Sequence, residues 1–172
     1  MPARVSLSDM QQVVDAATSF DWAIWLPNVP GNGSFSTRDF TFRCTGTTIP
    51  AVTQEAFKVE AHGLKFSYPG RRTWADDIDF TMYETRDQTT RSLMLSWMDF
   101  IRDIKANTGN YKASYSVAAE LNLYDAPGNI TRRIGIQGFY PLELGTATLD
   151  NTSGLLTYQC KFAMDRTTEI AL

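Results

Sequence analysis

The sequence predicts a mainly β chain of the α+β class: an antiparallel β-sandwich or small barrel with an α-helix packed outside it and a short helix near the N-terminus. Three observations carry this expectation. Apolar and polar residues alternate in run after run, the period of a half-buried strand. One stretch, Thr90 to Ile104, switches to a helical period. Most connections between the runs are of hairpin length, which joins antiparallel strands but not parallel ones.

The first pattern is helical. Met10, Val13, Val14 and Ala17 recur on one face, Ser8 and Gln11 supply a capping box, and Asp9 complements the helix dipole. The run Phe20 to Leu26 follows, then a Pro-, Gly- and Asn-rich loop from Pro27 to Ser34. Phe40, Phe42 and Cys44 alternate with Thr41 and Arg43 and read as a strand. Phe57, Val59 and Ala61 read as the next strand, with Leu64, Phe66 and Tyr68 after it. Tyr68-Pro69-Gly70-Arg71 reads as a type II turn, where glycine supplies the positive φ. Ile78, Phe80 and Met82 form a further alternating run.

Leu93, Met94, Trp97, Met98, Ile101 and Ile104 make the apolar stripe of the main helix, capped by Thr89 or Thr90 and closed by Asn107 to Asn110. Tyr115, Val117, Ala119, Leu121 and Leu123 then line one strand face, with Ser114, Ser116, Ala118, Glu120 and Asn122 on the other. The tight connection Asp125 to Asn129 leads to a partner strand marked by Ile134 and Ile136. A turn at Asp150 to Gly154 precedes the last run, Leu156, Tyr158, Cys160, Phe162 and Met164. The count is six to eight strands and two helices in a single domain covering residues 1–172, a length that buries a sizeable core without staples.

Composition narrows the function. Hydrophobic residues make up 43% and charged residues 20%, as in ordinary globular domains, and the 12% aromatic content favours strands. A net charge of −3 supplies no electrostatic footprint for gripping nucleic acid. The N-terminus lacks a basic-then-apolar signal pattern, and no apolar run is long enough to cross a bilayer. Cys44 and Cys160 both fall on apolar faces and read as buried, reduced thiols, with a single disulfide as the other option.

Catalytic patterns are not found. His62, the one histidine, sits on the polar side of its run, with no nucleophile elbow or phosphate-cradling loop near it. Asp76, Asp77 and Asp79 lack the further oxygen ligands of a calcium loop. They read either as a solvated loop or as a patch that meets basic residues on a neighbouring copy, since Arg71 and Arg72 give the same loop both signs of charge. Arg132 and Arg133 read as surface solvation, Trp97 as core, and Trp22 and Trp25 as core or interface. No enzyme activity, cofactor or metal is expected.

From Phe57 to Ile101 the order is a strand pair, a PG turn with basic residues, an aromatic-acidic loop, a strand and a Trp-bearing helix. Together with Phe42 to Pro50, the later hairpin and the closing strand, this order resembles the tail tube proteins of contractile-tailed phages, the T4-like tail tube family. The resemblance runs from about Phe20 to Asp165. It implies a structural virion protein assembled in the host bacterial cytoplasm: hexameric rings stacked into a tube, with sheets joining into a ring-wide β-barrel. It implies tail sheath, tape measure and baseplate proteins as partners. DNA would pass through the lumen without sequence-specific binding, and no membrane would be involved. It places inter-subunit and inter-ring contacts at a long hairpin or loop within Thr45 to Asp77, where Arg71, Arg72, Trp74, Asp76 and Asp77 are the candidates. The polar face Ser114, Ser116, Glu120, Asn122 is the candidate lumen lining. The narrow face of the N-terminal helix is a further contact candidate. A tube of a type VI secretion or bacteriocin-type injection system shares the fold and is the alternative. A monomeric β-barrel binding a small ligand is the alternative of another class.

Overall fold

The computed structural model describes residues 21–31, 36–125, 127–147 and 154–170. The expected N-terminal helix lies outside these residues. Among them are eleven strands, two of only two residues, and three helices, and every strand pairing is antiparallel.

Two sheet halves share one long strand. β1 (Trp22–Trp25), β8 (Val117–Tyr124), β9 (Ile130–Leu144) and β11 (Arg166–Ile170) form the first half. β9 then continues into the second, beside β10 (Thr157–Ala163), β5 (Asp77–Tyr83) and β2 (Cys44–Thr47). The crossover falls at Gly138, whose φ is 69°. A Cβ there would collide with the Asp165 carboxylate, so only glycine fits at this corner. Among the described residues the order β1-β8-β9-β10-β5-β2 does not close on itself.

The core lies where the apolar faces of both halves meet. Phe40, Phe80, Trp97, Phe139 and Phe162 are fully buried there, with ring centroids 4.5–6.5 Å apart. The alternation read for β5, β8 and β10 holds, because each of these strands has one face on that core. The tight connection after β8 holds too: Gly128 N–H donates to Asp125 O, and Gly128 has φ 90°.

The segment read as a strand through Phe40 and Phe42 is instead a helix, α1 (Thr37–Arg43). The Ser36 hydroxyl accepts the Asp39 N–H, Asp39 sits in the first turn and Arg43 in the last. Phe40 therefore enters the core while Phe42 points out, 60% exposed. Only Cys44 onward is strand. Both cysteines are free, as favoured from sequence. Burial, then the neighbouring Cys160, pushes the Cys44 thiol far up, and burial with Glu84 beside it pushes Cys160 up to about 12.

The main helix, α2 (Thr89–Ile101), packs Leu93, Met94 and Trp97 into the core, and the Trp97 indole donates to Tyr115 O. It ends earlier than its stripe suggests. Arg102–Asp103 is β6, paired with β7 (Thr108–Gly109), and Ile104 is 83% exposed. Its cap is neither threonine. The residue at the N-cap position, Gln88, makes no side-chain cap, and the buried Glu84 carboxylate accepts the N–H groups of Thr90 and Arg91 from outside the helix. Burial alone would raise the Glu84 carboxyl, but the N–H donors of Arg91, Thr90 and Thr85 outweigh it and hold it below the usual glutamate range. A lowered folded-state value contributes stability above the unfolded value, and that stability is lost as pH falls through the folded one. We expect Glu84→Ala to lose about 1–2 kcal/mol at neutral pH, read as a lower urea midpoint. The gap to wild type should close as the pH drops into the acid range.

Candidate assembly surfaces

β3 (Val52–Ala61) and β4 (Leu64–Trp74) form a long hairpin that pairs with no other strand among the described residues. Its turn is His62-Gly63, with φ of 51° and 77°, the double positive of a tight two-residue hairpin loop. The expected turn at Pro69-Gly70 is thus corrected. Those residues lie inside β4 at a bulge, opposite the register shift between Gln54 and Ala56, where a missing N–H costs little. His62 accordingly belongs to the turn and not to a strand face.

One face of this hairpin is apolar. Phe57 pairs with Tyr68, Val59 with Phe66 and Ala61 with Leu64, and the Phe57 and Tyr68 rings stack at 5.5 Å. Phe57, Val59, Leu64, Phe66 and Tyr68 are all 43–61% exposed. A two-stranded ribbon with a bare apolar face is marginal in water by itself.

Arg71, Arg72 and Trp74 lie in β4, not in a loop with the acidic residues as expected, and all three are exposed. Asp76 and Asp77 follow at the hairpin's exit. Asp77 opens β5 and lies 3.7 Å from Lys161, and Asp76 lends its carbonyl to Met164 N–H. Among the described residues no group of acidic, cysteine or histidine side chains is placed to hold a metal, and no helix is long and apolar enough to cross a membrane.

The expected polar face divides. Ser114 belongs to α3 (Lys112–Tyr115), and Ser116 ends that helix with its hydroxyl donating to Lys112 O. The alternation read through Tyr115 gives way there to a helical turn, closed by Ser114 N–H on Tyr111 O and Ser116 N–H on Lys112 O, with Tyr115 O accepting the Trp97 indole N–H. Glu120 and Asn122 do share the β8 face turned away from the core. Arg133, which sequence reasoning left as surface solvation, joins them: it lies opposite Asn122 and 3.8 Å from Glu120. Among the described residues the buried Asn122 Oδ1 and Arg133 Nε have no hydrogen-bond partner, Glu120 facing Arg133 Nε at ion-pair distance only.

The four-strand half β1-β8-β9-β11 has no further strand paired at either end among the described residues. At β1, Asp21 O accepts Tyr124 N–H, so by alternation Trp22 and Ile24 present their groups to the open side. There the Thr41 hydroxyl donates to Ile24 O, which hangs α1 over that edge. Beside β11 lies a cleft of about 600 Å³, walled by Ile49, Val52, Arg72 and Trp74 on the hairpin side and by Arg166 and Thr168 on the other. Arg132, at its floor, is paired with Glu169. Neither the cleft nor β11 was foreseen, because Arg166 to Ile170 offers no apolar alternation.

The sequence matches the phage tail tube protein family over residues 11–132. The chain belongs to that family. This tail tube protein is 27% identical to tail tube protein gp19 of Enterobacteria phage T4 across 137 residues, which span 77% of this chain and 83% of that relative. Its fold is shared with the sheath–tube complex of the extracellular contractile injection system PVC in the extended state, at 14% identity and a TM-score of 0.62, covering 97% of this chain and 99% of that one. The tube-terminating cap of the anti-feeding prophage is similar at 16% identity and a TM-score of 0.64, covering 93% and 94%.

Proposed function

We infer that this tail tube protein is a non-enzymatic subunit of the inner tube of a contractile phage tail, built from hexameric rings stacked head to tail. The observation that carries the reading is the open four-strand half. Its strands alternate in direction from β1 to β11, so β11 of one copy and β1 of the next can meet antiparallel. Repetition of that step closes a ring-wide barrel and removes the lateral edges, which would otherwise invite aggregation. The face turned from the core then lines the bore with Glu120 and Asn122, while Ser114 and Ser116 lie at its mouth. Glu120 masks the Arg133 guanidinium, so phosphates meet little free positive charge and DNA and the tape measure protein pass without sticking. The bare hairpin, with Arg71, Arg72, Trp74, Asp76 and Asp77 at its base, reaches the adjacent subunit and the next ring. A contact that translates as well as rotates stacks without limit. Tail sheath and baseplate proteins are the outer and terminal partners, and the product is a virion component assembled in the host cytoplasm. The family match favours a phage tail over a secretion-system tube, and the open single-chain sheet argues against a closed monomeric ligand barrel.

Reversing Arg71 and Arg72 to glutamate tests the stacking role. We expect the variant to fold normally, while its critical concentration for tube formation rises about tenfold at low salt, with the gap narrowing as salt screens both proteins. Tubes that tolerate a salt series as well as wild type would remove these charges from the contact.

A further inference from the structure

The geometry points to a specific lateral seat: the cleft beside β11 receives α1 of the adjacent copy, with Phe42 as its anchor. The inference rests on the ring-forming reading above and adds the residues that decide which copies fit. Three observations converge on it. First, α1 is positioned at the opposite end of the same four-strand half. The Thr41 hydroxyl donates to the outward carbonyl of Ile24, so α1 covers the outer edge of β1 at that point and stands at this end of the half. When β1 of one copy approaches β11 of another, α1 of the first arrives in the layer where the second has its cleft.

Second, the shapes and polarities match. Phe42 is 60% exposed, with the Arg38 guanidinium 5.2 Å from its ring centroid. The cleft presents Ile49, Val52 and Trp74, each 41–53% exposed, as an apolar wall without an occupant from its own described residues. A volume of about 600 Å³ accommodates an aromatic side chain and the adjoining part of a helical turn. A buried aromatic anchor ringed by polar groups is the usual form of an interface hot spot.

Third, the charges complement. Asp39 precedes Phe42 by one helical turn, and Arg72 and Arg166 flank the cleft. Arg132 is already held by Glu169, while Arg72, whose Nε donates to the neutral Gln54 Oε1, and Arg166 supply positive charge for the incoming acid. Knob and seat occupy different parts of the chain, so the contact is heterologous and propagates around a ring instead of stopping at a dimer.

The test is cross-linking in the full chain. Phe42→Cys/Trp74→Cys is treated with a short bismaleimide after assembly, beside wild type and each single variant. The double variant should give a ladder of covalent oligomers ending at the closed ring, and the other three none. Tubes visible by electron microscopy without a ladder overturn the seat while leaving the tube reading intact, and so do dimers from Phe42→Cys alone. Wild type that never forms rings or tubes sinks the tube reading itself. Should the double variant fail to assemble, Phe42→Glu and Phe42→Tyr decide. Both should keep the wild-type circular dichroism spectrum. Phe42→Glu should raise the critical concentration about tenfold or more, while Phe42→Tyr stays within about twofold of wild type. Normal tubes from Phe42→Glu overturn the inference.

Discussion

Phe162→Ala is expected to destabilise the monomer by about 3–5 kcal/mol, a large part of the total stability of a domain this size. Phe162 is fully buried and stacks on Phe139 at 4.5 Å, with Phe40, Phe80 and Trp97 edge-on at 5.5–6.1 Å. Its removal opens a cavity between two sheet halves and two helices, none of which can collapse into it without breaking ring contacts elsewhere. The melting temperature should fall by something on the order of 10 °C. Phe42→Ala is the matched control and should stay within about 0.5 kcal/mol of wild type, because Phe42 leaves the core at the turn of α1. Equal losses at the two positions in calorimetry would mean that Phe40 and Phe42 share a buried strand face, contrary to the helix.

Val59→Lys with Phe66→Glu is expected to abolish tube formation while leaving the monomer folded. The two residues are cross-strand partners on the bare hairpin face, so opposite charges there preserve the pairing. In the monomer both side chains already meet water, 43% and 45% exposed, and monomer stability should change by less than about 1 kcal/mol. In the proposed polymer the same face would be covered by another copy. Each half-exposed apolar side chain then contributes roughly 1 kcal/mol on burial, and the substitution forfeits two of these and adds charges that must be desolvated. If every subunit both gives and receives the hairpin, as proposed, the loss repeats at each contact. Sedimentation at high concentration should find monomers or single rings where wild type pellets as polymer. Variant tubes in wild-type yield would show that this face meets solvent in the assembly.

These two outcomes also mark where the sequence was legible. β5, β8, β10 and α2 could be read because each sets one face against the core, which writes its period into the residues. The hairpin could be read as two strands because the same alternation gives it one apolar face, although that face is exposed in the single chain. Where two signals competed, the louder one misled. Pro69-Gly70 outweighed His62-Gly63 as the turn, yet a bulge accepts Pro-Gly, and the alternation on both sides of Ala61 and Leu64 already centred the hairpin. Phe40, Phe42 and Cys44 fit a strand period, but Ser36 three residues before Asp39 is a helix-start pattern, and it decides the segment. α3 and β11 left no trace: α3 is a single turn too short to write a period and is held at Tyr115 O by the distant Trp97 indole, and the run Arg166 to Ile170 is placed by β9. The assembly residues follow the same rule. Arg72 was picked out by the mixed charge of its segment and Trp74 by the resemblance, whereas Arg132, Arg133 and Arg166 stand out only through what the fold sets beside them.

Cryo-electron microscopy of the purified protein at high concentration bears most directly on whether copies complete one another's sheets. The expected image is a hollow tube of stacked six-fold rings, its bore lined by β1, β8, β9 and β11 with Glu120 and Asn122 facing inward. Single monomers at every concentration, or tubes with Glu120 on the outer wall, would contradict the account.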